Sequence, residues 1–359
     1  MLGKKVKVIV DRTINSVHPK CENITYTVNY GYVLEASSIY DKEYLDAYIL
    51  DEDELVEEYH GQVIAIIHRE NDEEKLVVAN KSFSKEEIEK KVSFIEKYFK
   101  HYIELNITTK EDIKYDLANL GIKTKDNLMI HSSLKSFGKI NPNDIIEAFI
   151  ETVNDGLVIF PTHTWNIMKN DGDIFDVDLT DSCVGALTNI ARKYPGFKRS
   201  MHPTHSVCAH GKMRDEYLAW DLNVDTPVNP KGCFGRLKDI NAKIIFLGAP
   251  LTKNTFIHSI EEEFLVPDRF TEHIYHFVSK NGEKTLDYYM PKHYSTKNPH
   301  LSEHYQKLLR HLLTKGIAKE GYVGNSHTYV VDAYQCYSYV EQLLEKNLHI
   351  FDNYDDYED

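Results

Sequence analysis

Three histidines lie within nine residues in the stretch RSMHPTHSVCAHG, residues 199–211, beside a serine and a cysteine. A closed zinc site needs three or four ligands, and HPTHS supplies only His202 and His205, which flank a proline. No CxxC or HExxH motif accompanies them. The pattern therefore does not favour a metal site, and we expect these histidines to serve a reaction that uses no metal.

A second group, Thr255, His258 and Glu261, recurs at every third position in LGAPLTKNTFIHSIEEEF. Residues three apart share one face of a helix, so the carboxylate can orient the imidazole. A carboxylate in this position fixes the histidine tautomer, raises its basicity and stabilises the imidazolium, as a general base requires. The alternative is an exposed His–Glu ion pair, which an HxxE spacing alone also produces.

A third motif, HSSLKSFG at residues 131–138, follows an apolar strand. Small hydroxyl residues and a glycine allow backbone N–H groups to converge on an anion, so this turn could hold a phosphate or pyrophosphate. A capped helix start is the alternative. The GxxxxGK[ST] spacing is absent, which excludes a nucleotide triphosphatase of the P-loop type.

Aspartates are concentrated in NDGDIFDVDLTD, which we interpret as one loop. They are Asp171, Asp173, Asp176, Asp178 and Asp181. Carboxylates in this density could bind a polyamine substrate, chiefly through the first three. The order of an EF-hand loop and its terminal glutamate are missing, so calcium is not favoured. A solvated loop remains the alternative.

The charge and the cysteines limit the partners and the compartment. A formal net charge of −14 argues against nucleic acid, because phosphate binding depends on Lys and Arg, and it suits a cationic small molecule. Simple solubility is the other explanation. Five scattered cysteines indicate reduced thiols. With no secretory signal and no apolar run long enough to span a membrane, we expect a cytoplasmic protein.

The elements that must position these residues fall into two predicted domains. Residues 1–105 contain short strands rich in Val, Ile and Tyr, followed by a helix that opens on a capping box, Ser84 with Glu87. This pattern predicts a small β-barrel with a C-terminal helix. The acidic C-terminal tail, DNYDDYED, is expected to be solvated.

Residues 106–359 alternate helices with buried strands, which predicts an α/β domain with a central sheet flanked by helices. Thr108 with Glu111 should open a helix that stops at Gly121, and another helix should follow Pro142. NLMIHSSL, LVIFPTHTW and AKIIFLGAP read as strands that end in polar residues, and SCVGALTNIARKYPG reads as a helix. Such folds place their sites at those strand ends.

Five motifs, HSSLKSFG, IFPTHTW, RSMHPTHSVCAHG, CFGRL and LGAPLTKNTFIHSIEE, occur here in the order and at the separations of a known family. Residues 108–350 thereby resemble the antibiotic N-acetyltransferases of the aminoglycoside 3-N-acetyltransferase type. The resemblance implies acetyl transfer from acetyl-CoA, without metal, to an amine of a polycationic small molecule, most simply the 3-amino group of an aminoglycoside antibiotic. Antibiotic resistance would be the biological outcome.

The resemblance also implies roles for particular residues. His258 would deprotonate the amine, Glu261 would orient it, and Thr255 would line the same pocket. His202, His205 and Ser206 would shape the acetyl site, with Ser206 a candidate donor to the oxyanion. The coenzyme would contact the motif at residues 131–138, namely His131, Ser132, Ser133, Leu134, Ser136 and Phe137. We expect direct transfer; a covalent route through Cys208 is the alternative, although nothing in the spacing gives that thiol a base.

The first domain has a resemblance of its own, to soluble inorganic pyrophosphatase. VDRTINSVHPKCENITYTVNYGYV, YDKEYLDAYIL, GQVIAIIHREND and EKLVV carry it, and the matching residues are Arg12, Tyr30, Asp41, Asp46, Asp72 and Lys75. The family's DGDxxD cluster reads DKEYLD here, so a glycine is lost and Glu43 replaces an aspartate. Two-metal hydrolysis needs carboxylates in fixed positions, so we expect a degenerate barrel that serves docking or oligomerisation.

The leading prediction is therefore an acetyl-CoA-dependent N-acetyltransferase that binds no nucleic acid and no membrane and that could form a homodimer. A Mg²⁺-dependent pyrophosphatase or related phosphohydrolase working through the first domain is the alternative enzyme. A scaffold made of two inactive modules is the non-enzyme alternative.

Overall fold

The computed structural model describes residues 1–37, 43–70, 74–296, 300–355 and 357. Their contacts divide the chain into two compact units, which are described separately below. The first contains residues 1–116, 137–141 and 322–325, and the second contains residues 117–136, 142–321 and 326–359.

The first unit contains a closed β-barrel of five strands. Its elements are β1 (Lys5–Arg12), β2 (Val17–His18), β3 (Cys21–Thr25), β4 (Asn29–Ser37), β5 (Tyr44–Ile49), β6 (Glu58–Arg69), β7 (Lys75–Ala79), α1 (Lys85–Glu96) and β8 (His101–Leu105). The strand order is β1-β4-β5-β7-β6, and pairing of β1 with β6 closes the ring. β8 extends the sheet beyond β6, and β2 pairs with β3 separately. The predicted small barrel is confirmed.

The helix of this unit opens as predicted and ends at Glu96. Ser84 and Glu87 form the capping box, and Ile88 and Val92 are buried. The helix stops at Glu96 because the segment HYIEL that soon follows is strand β8, with alternate residues buried against β6. The next helix, α2 (Lys110–Asn119), is capped by Thr109 and Asp112 rather than by Thr108 and Glu111.

The second unit is an α/β domain whose described residues form ten strands, seven in its main sheet and three in a smaller sheet. Its strands are β9 (Asn127–Ser132), β10 (Leu157–Pro161), β11 (Asp173–Asp176), β12 (Lys198–Arg199), β13 (Val207–Gly211), β14 (Lys243–Leu247), β15 (Tyr275–Asn281), β16 (Lys284–Met290), β17 (Ala318–Val323) and β18 (Ser326–Asp332). Its helices are α3 (Pro142–Thr152), α4 (Ala186–Ala191), α5 (Arg214–Ala219), α6 (Thr255–Glu263), α7 (Leu308–Thr314) and α8 (Ala333–Lys346).

The large sheet has the order β12-β13-β10-β9-β14-β18-β17. β9 is parallel to β10 and to β14, so the carboxyl ends of these three strands meet at one edge of the sheet. β13 runs antiparallel to β10, which brings the HPTHS turn that precedes β13 to that same edge. The three strands predicted to end in polar residues are confirmed, and their ends converge.

Two segments differ from the expected elements. Part of the aspartate-rich segment is strand β11, which pairs with β15 in a three-stranded sheet with β16, because Phe175 inserts into a core that contains Phe277 and Met290. The helix expected over residues 182–196 is only α4, six residues long. No helix of the described part of the chain is long and apolar enough to cross a membrane.

Candidate active site

A cavity of about 720 Å³ opens in the second unit where β9, β10 and β14 end. Ser132, Pro161 and Gly248, which stand at those ends, all line it. Its size falls in the range of small-molecule sites. The lining also includes His163, His205 and His258.

His258 contacts a buried carboxylate through a tyrosine. The Tyr305 hydroxyl lies 2.7 Å from His258 Nδ1 and donates a hydrogen bond to Glu261 Oε2. The direct separation of His258 Nδ1 from Glu261 Oε2 is 3.5 Å, too long for a good hydrogen bond. The prediction that Glu261 orients His258 stays a prediction: the two groups are within ion-pair range, and Tyr305 makes a shorter contact with each of them.

This arrangement determines which ring nitrogen is basic. A tyrosine has one hydroxyl proton, and Tyr305 gives it to the carboxylate, so its oxygen accepts from His258 Nδ1–H. The neutral imidazole then carries its lone pair on Nε2. Tyr305 lies 47 positions after His258 in the chain, in a 3-10 helix (Leu301–Lys307), and no local sequence pattern connects the two.

Glu261 is fully buried and is ionised by its neighbours. Burial alone would raise the pKa of this carboxyl, but His258, Arg269 and Tyr305 together hold its pKa below the ordinary value. Arg269 donates from Nε to Glu261 Oε1 at 2.8 Å, and its own side chain is 1% exposed. The negative charge next to the histidine is thus retained without water.

The pKa of His258 is lowered, chiefly by burial and also by His293, whose ring centroid lies 4.3 Å away. Glu261 and Glu262 oppose the shift. A histidine with a lowered pKa stays neutral at pH 7, which is the state that can accept a proton. Thr255 opens α6 and lines the same cavity, as predicted.

The HPTHS turn contributes one histidine to the cavity. His205 lines it, whereas His202 is buried and its Nδ1 accepts from the backbone N–H groups of Thr204 and His205, at 3.2 and 3.0 Å. Burial lowers the pKa of both rings. His202 therefore fixes the turn that presents His205.

Ser206 is not placed to stabilise an oxyanion. It is fully buried, it is absent from the cavity lining, and its hydroxyl donates to the Thr162 carbonyl oxygen at 2.8 Å. Its oxygen also accepts from Arg199 Nε at 3.0 Å. The prediction for Ser206 is corrected, because its only proton is used inside the protein.

His163 is a lining residue that the sequence reasoning did not select. It lies just after β10 in the quoted motif IFPTHTW, is 5% exposed, and has no hydrogen-bond partner at Nε2 among the described residues. Burial lowers its pKa well below the ordinary histidine value, with smaller effects from neighbouring histidines. Its position directly after a buried strand of the central sheet is the sequence feature that could have identified His163 as a site residue.

The loop predicted to hold the coenzyme divides into two roles. His131, Ser132 and Ser133 line the cavity, and His131 Nε2 and Ser132 Oγ are buried without a described partner. Ser136 builds the turn instead, through Ser133 O and Ser326 Oγ, each at 2.7 Å. Leu134 is outside the lining and Phe137 is fully buried, so the structure does not bring these two to the cavity.

The three aspartates predicted to bind substrate do not line the cavity. Asp171 accepts from His273 Nε2 and from the His276 backbone, at 2.9 and 2.8 Å. Asp173 accepts from the N–H groups of Lys169 and Asn170, and Asp176 from those of Asp178 and Leu179. The carboxylates stabilise turns around β11, and their contact with a substrate stays a prediction.

Neutral imidazoles, hydroxyls and apolar side chains make up most of the lining. Within the described ranges, no three or more His, Cys, Asp or Glu side chains form a group able to hold a metal ion. Burial raises the pKa of the Cys208 thiol to about 12, and Cys183, which does line the cavity, also has a raised pKa through burial. Both thiols are protonated at neutral pH.

A cavity at parallel strand ends, with a neutral histidine supported by a buried carboxylate, defines a candidate acid–base site. The sequence model described as aminoglycoside 3-N-acetyltransferase matches residues 129–345. The chain belongs to this family. The resemblance predicted over residues 108–350 is confirmed there; the match begins beyond the barrel, whose likeness to inorganic pyrophosphatase stays a prediction.

Individual relatives agree with the family match. Aminoglycoside N(3)-acetyltransferase IX of Micromonospora chalcea is 25% identical over 267 residues, which cover 67% of this chain and 94% of that protein. Aminoglycoside N(3)-acetyltransferase VII of Streptomyces paromomycinus is 23% identical, covering 67% and 92%. Among solved structures, aminoglycoside acetyltransferase AAC(3)-Xa has a TM-score of 0.60 at 22% identity, covering 67% of this chain and 94% of that one.

A structure described as AAC-IIIb binary with CoASH has a TM-score of 0.58 at 23% identity and covers 67% of this chain and 97% of that one. Acetyl-CoA is the acetyl donor of the family. The residues present here fit it, because buried polar atoms of His131 and Ser132 beside the cavity have no hydrogen-bond partner in the described part of the chain.

Gly248 gives a test of the coenzyme loop. Its φ is +58°, and a Cβ there would lie 2.1 Å from Ser136 Oγ, so Gly248→Ala must displace the turn that carries Ser132 and Ser133. We expect the dissociation constant for coenzyme A to rise about tenfold or more, measured by isothermal titration calorimetry. The control is Gly282→Ala, which has the same φ but open space around it. Equal affinity in the two variants would contradict the assignment.

The lowered pKa of His258 predicts the pH dependence of kcat. The imidazole must be neutral to act, so activity should appear as pH rises through a value below about 6.5, the ordinary histidine pKa. His293→Phe removes a repelling imidazole, which should raise the pKa of His258 and move the acid limb to higher pH. His273→Phe, an exposed histidine outside the lining, should leave the limb in place. An unmoved limb in His293→Phe would refute this electrostatic account.

Proposed function

We propose that this chain transfers an acetyl group from acetyl-CoA directly to an amine, with His258 as the general base. The single observation that carries the proposal is the His258–Tyr305–Glu261 chain of contacts at a cavity of the family fold. The named relatives are aminoglycoside N(3)-acetyltransferases, so we propose the 3-amino group of an aminoglycoside as the acceptor.

The proposed reaction begins with the acceptor amine. A protonated amine is no nucleophile, so His258 Nε2 removes one of its protons, and the resulting imidazolium is stabilised through Tyr305 by Glu261. The amine nitrogen bonds to the thioester carbonyl carbon, and the carbon–sulfur bond breaks. His258 then returns its proton to the leaving thiolate, and the new amide nitrogen loses its remaining extra proton to solvent. The products are coenzyme A and the neutral amide, with one proton released.

Negative charge develops on the carbonyl oxygen during attack, and a neutral donor must stabilise it. We propose that His163 donates the hydrogen bond to this oxygen. Ser206 cannot do so, because its hydroxyl proton is donated to the Thr162 carbonyl oxygen. The imidazole of His163 lines the cavity and its lowered pKa keeps it neutral, so it donates without the cost of a buried charge. Direct transfer is supported further by the protonated state of Cys208 and Cys183.

We also propose that residues 1–105 form a separate pyrophosphatase-like module with a structural role, and that residues 106–359 carry the transferase. Asp41 and Asp72 lie outside the described residues. Asp46 accepts hydrogen bonds from Tyr30 and Lys75, at 2.5 and 2.6 Å, which supports a polar cluster whose members bond to one another.

Five free cysteines support a cytoplasmic location, and a homodimer remains part of the proposal.

The function is tested by release of free coenzyme A thiol from acetyl-CoA in the presence of EDTA, with a panel of aminoglycosides and simple polyamines. Amine-dependent release is expected for the unmodified protein. His258→Ala should lower kcat by about 10²–10⁴-fold, because the base is lost, while coenzyme A still binds. The control is His210→Ala, a partly exposed histidine outside the lining. Full activity of His258→Ala would exclude His258 as the base.

His163→Ala tests the carbonyl donor in the same assay. Removing a donor that acts only in the transition state should lower kcat by about 10²-fold and leave the KM values within a factor of about three. His163→Gln, which restores an N–H donor, should recover part of the loss. A kcat equal to that of the unmodified protein would assign His163 to packing alone.

A further inference from the structure

The segment that follows α8 packs against the 3-10 helix that carries Tyr305. The Phe351 carbonyl oxygen lies 2.7 Å from His304 Nδ1, and the Phe351 ring, fully buried, packs against the Tyr305 ring with centroids 5.2 Å apart. Lys307 Nζ donates to the carbonyl oxygens of Asn353 and Asp355, at 3.1 and 3.0 Å. The sequence predicted a solvated tail from Asp352 onward. Residues 353–355 are exposed, and the segment 350–355 also makes these contacts with the protein.

One side chain of this segment reaches the charge network behind the base. Asp352 Oδ1 accepts from Arg269 Nη2 at 2.7 Å, while Arg269 Nε donates to Glu261 Oε1 at 2.8 Å. The guanidinium is 1% exposed and is held between two carboxylates, of which Asp352 is the outer, 31% exposed one. A continuous chain of contacts therefore joins Asp352 to His258 through Arg269, Glu261 and Tyr305.

We propose that Asp352 is a positioning residue for the general base, and that residues 350–355 hold Arg269 and Tyr305 in the geometry that keeps Glu261 and His258 aligned. The proposal rests on the proposed role of His258. Arg269 pairs with the two carboxylates through Nε and Nη2, while Nη1 donates to the carbonyl oxygens of Pro267 and Asp268. Loss of the Asp352 charge therefore leaves Glu261 to balance the guanidinium.

The consequence for Glu261 is electrostatic. With Asp352 uncharged, the positive charge of Arg269 is balanced by Glu261 alone. The negative charge of Glu261 then stabilises the imidazolium of His258 less, which lowers the pKa of His258. Other titratable groups among the described residues also face this network. Glu262, His293, His163 and His205 surround His258, and His349 Nδ1 lies 2.8 Å from Asp352 Oδ2. Loss of the outer carboxylate should therefore weaken the base, and Asp352 itself lies outside the cavity lining, to which Arg269 belongs.

The test compares Asp352→Asn, which keeps the shape and removes the charge, with Asp352→Glu, which keeps the charge. In Asp352→Asn, kcat at neutral pH should fall about three- to tenfold, the KM for acetyl-CoA should stay within about twofold, and the acid limb of kcat should move to lower pH. Asp352→Glu should restore much of kcat. Asp239→Asn, which breaks an exposed Arg–Asp pair elsewhere, serves as the control.

A second measurement separates this proposal from the proposed function. The pKa of the His258 imidazole, followed by NMR in histidine-labelled full-length protein and assigned by loss of the signal in His258→Ala, should fall in Asp352→Asn and not in Asp239→Asn. If the unmodified protein releases no thiol with any amine, the proposed function fails while this titration still tests the positioning. An unchanged pKa of His258, or equal losses in the Asn and Glu variants, would overturn the proposal.

Discussion

The fully buried charge of Glu261 is the constraint on which the site depends. A carboxylate without water is stable only when hydrogen bonds and an opposite charge surround it, and removal of either leaves a large uncompensated cost. Arg269 and Tyr305 meet that requirement here. Because the hydroxyl proton of Tyr305 is used on the carboxylate, its oxygen is left to accept from His258 Nδ1–H, and Nε2 becomes the basic nitrogen.

Burial keeps the histidines of the cavity uncharged, whereas Glu261 keeps its charge because Arg269 and Tyr305 surround it. His131, His163, His205 and His258 line one cavity, and each has a pKa lowered by burial. Had they been exposed, several of them would be partly protonated near pH 6.5 and would repel one another and a cationic acceptor. The apolar packing around the strand ends thus keeps the imidazoles uncharged, and it lets one of them act as a base.

Features that depend on local pattern could be predicted from the sequence. The apolar runs of β9, β10 and β14 gave the strands, and the i, i+3 spacing placed His258 and Glu261 on one turn of α6. The capping box at Ser84 set the start of α1. In each case the signal lies within a few residues, where backbone geometry alone fixes which side chains meet.

Features that depend on packing could not be predicted in this way. Tyr305 and Arg269 contact Glu261, and Asp352 contacts Arg269, from three separate segments that no local sequence pattern links. Ser206 and the three aspartates have the right chemistry, but they hydrogen-bond to backbone groups and side chains of other segments, which the sequence does not reveal. Proposals about chemistry from composition therefore need the partner of each polar atom before a role is assigned.

The most direct test of the central claim is the tautomer of His258 in the unliganded protein. Nitrogen-15 NMR of histidine-labelled protein near pH 7.5 distinguishes a protonated ring nitrogen from one that carries a lone pair. The account predicts a neutral ring protonated at Nδ1, with the lone pair on Nε2. A ring protonated at Nε2 would contradict it, because the lone pair would then point toward Tyr305 and no base would be available to the substrate.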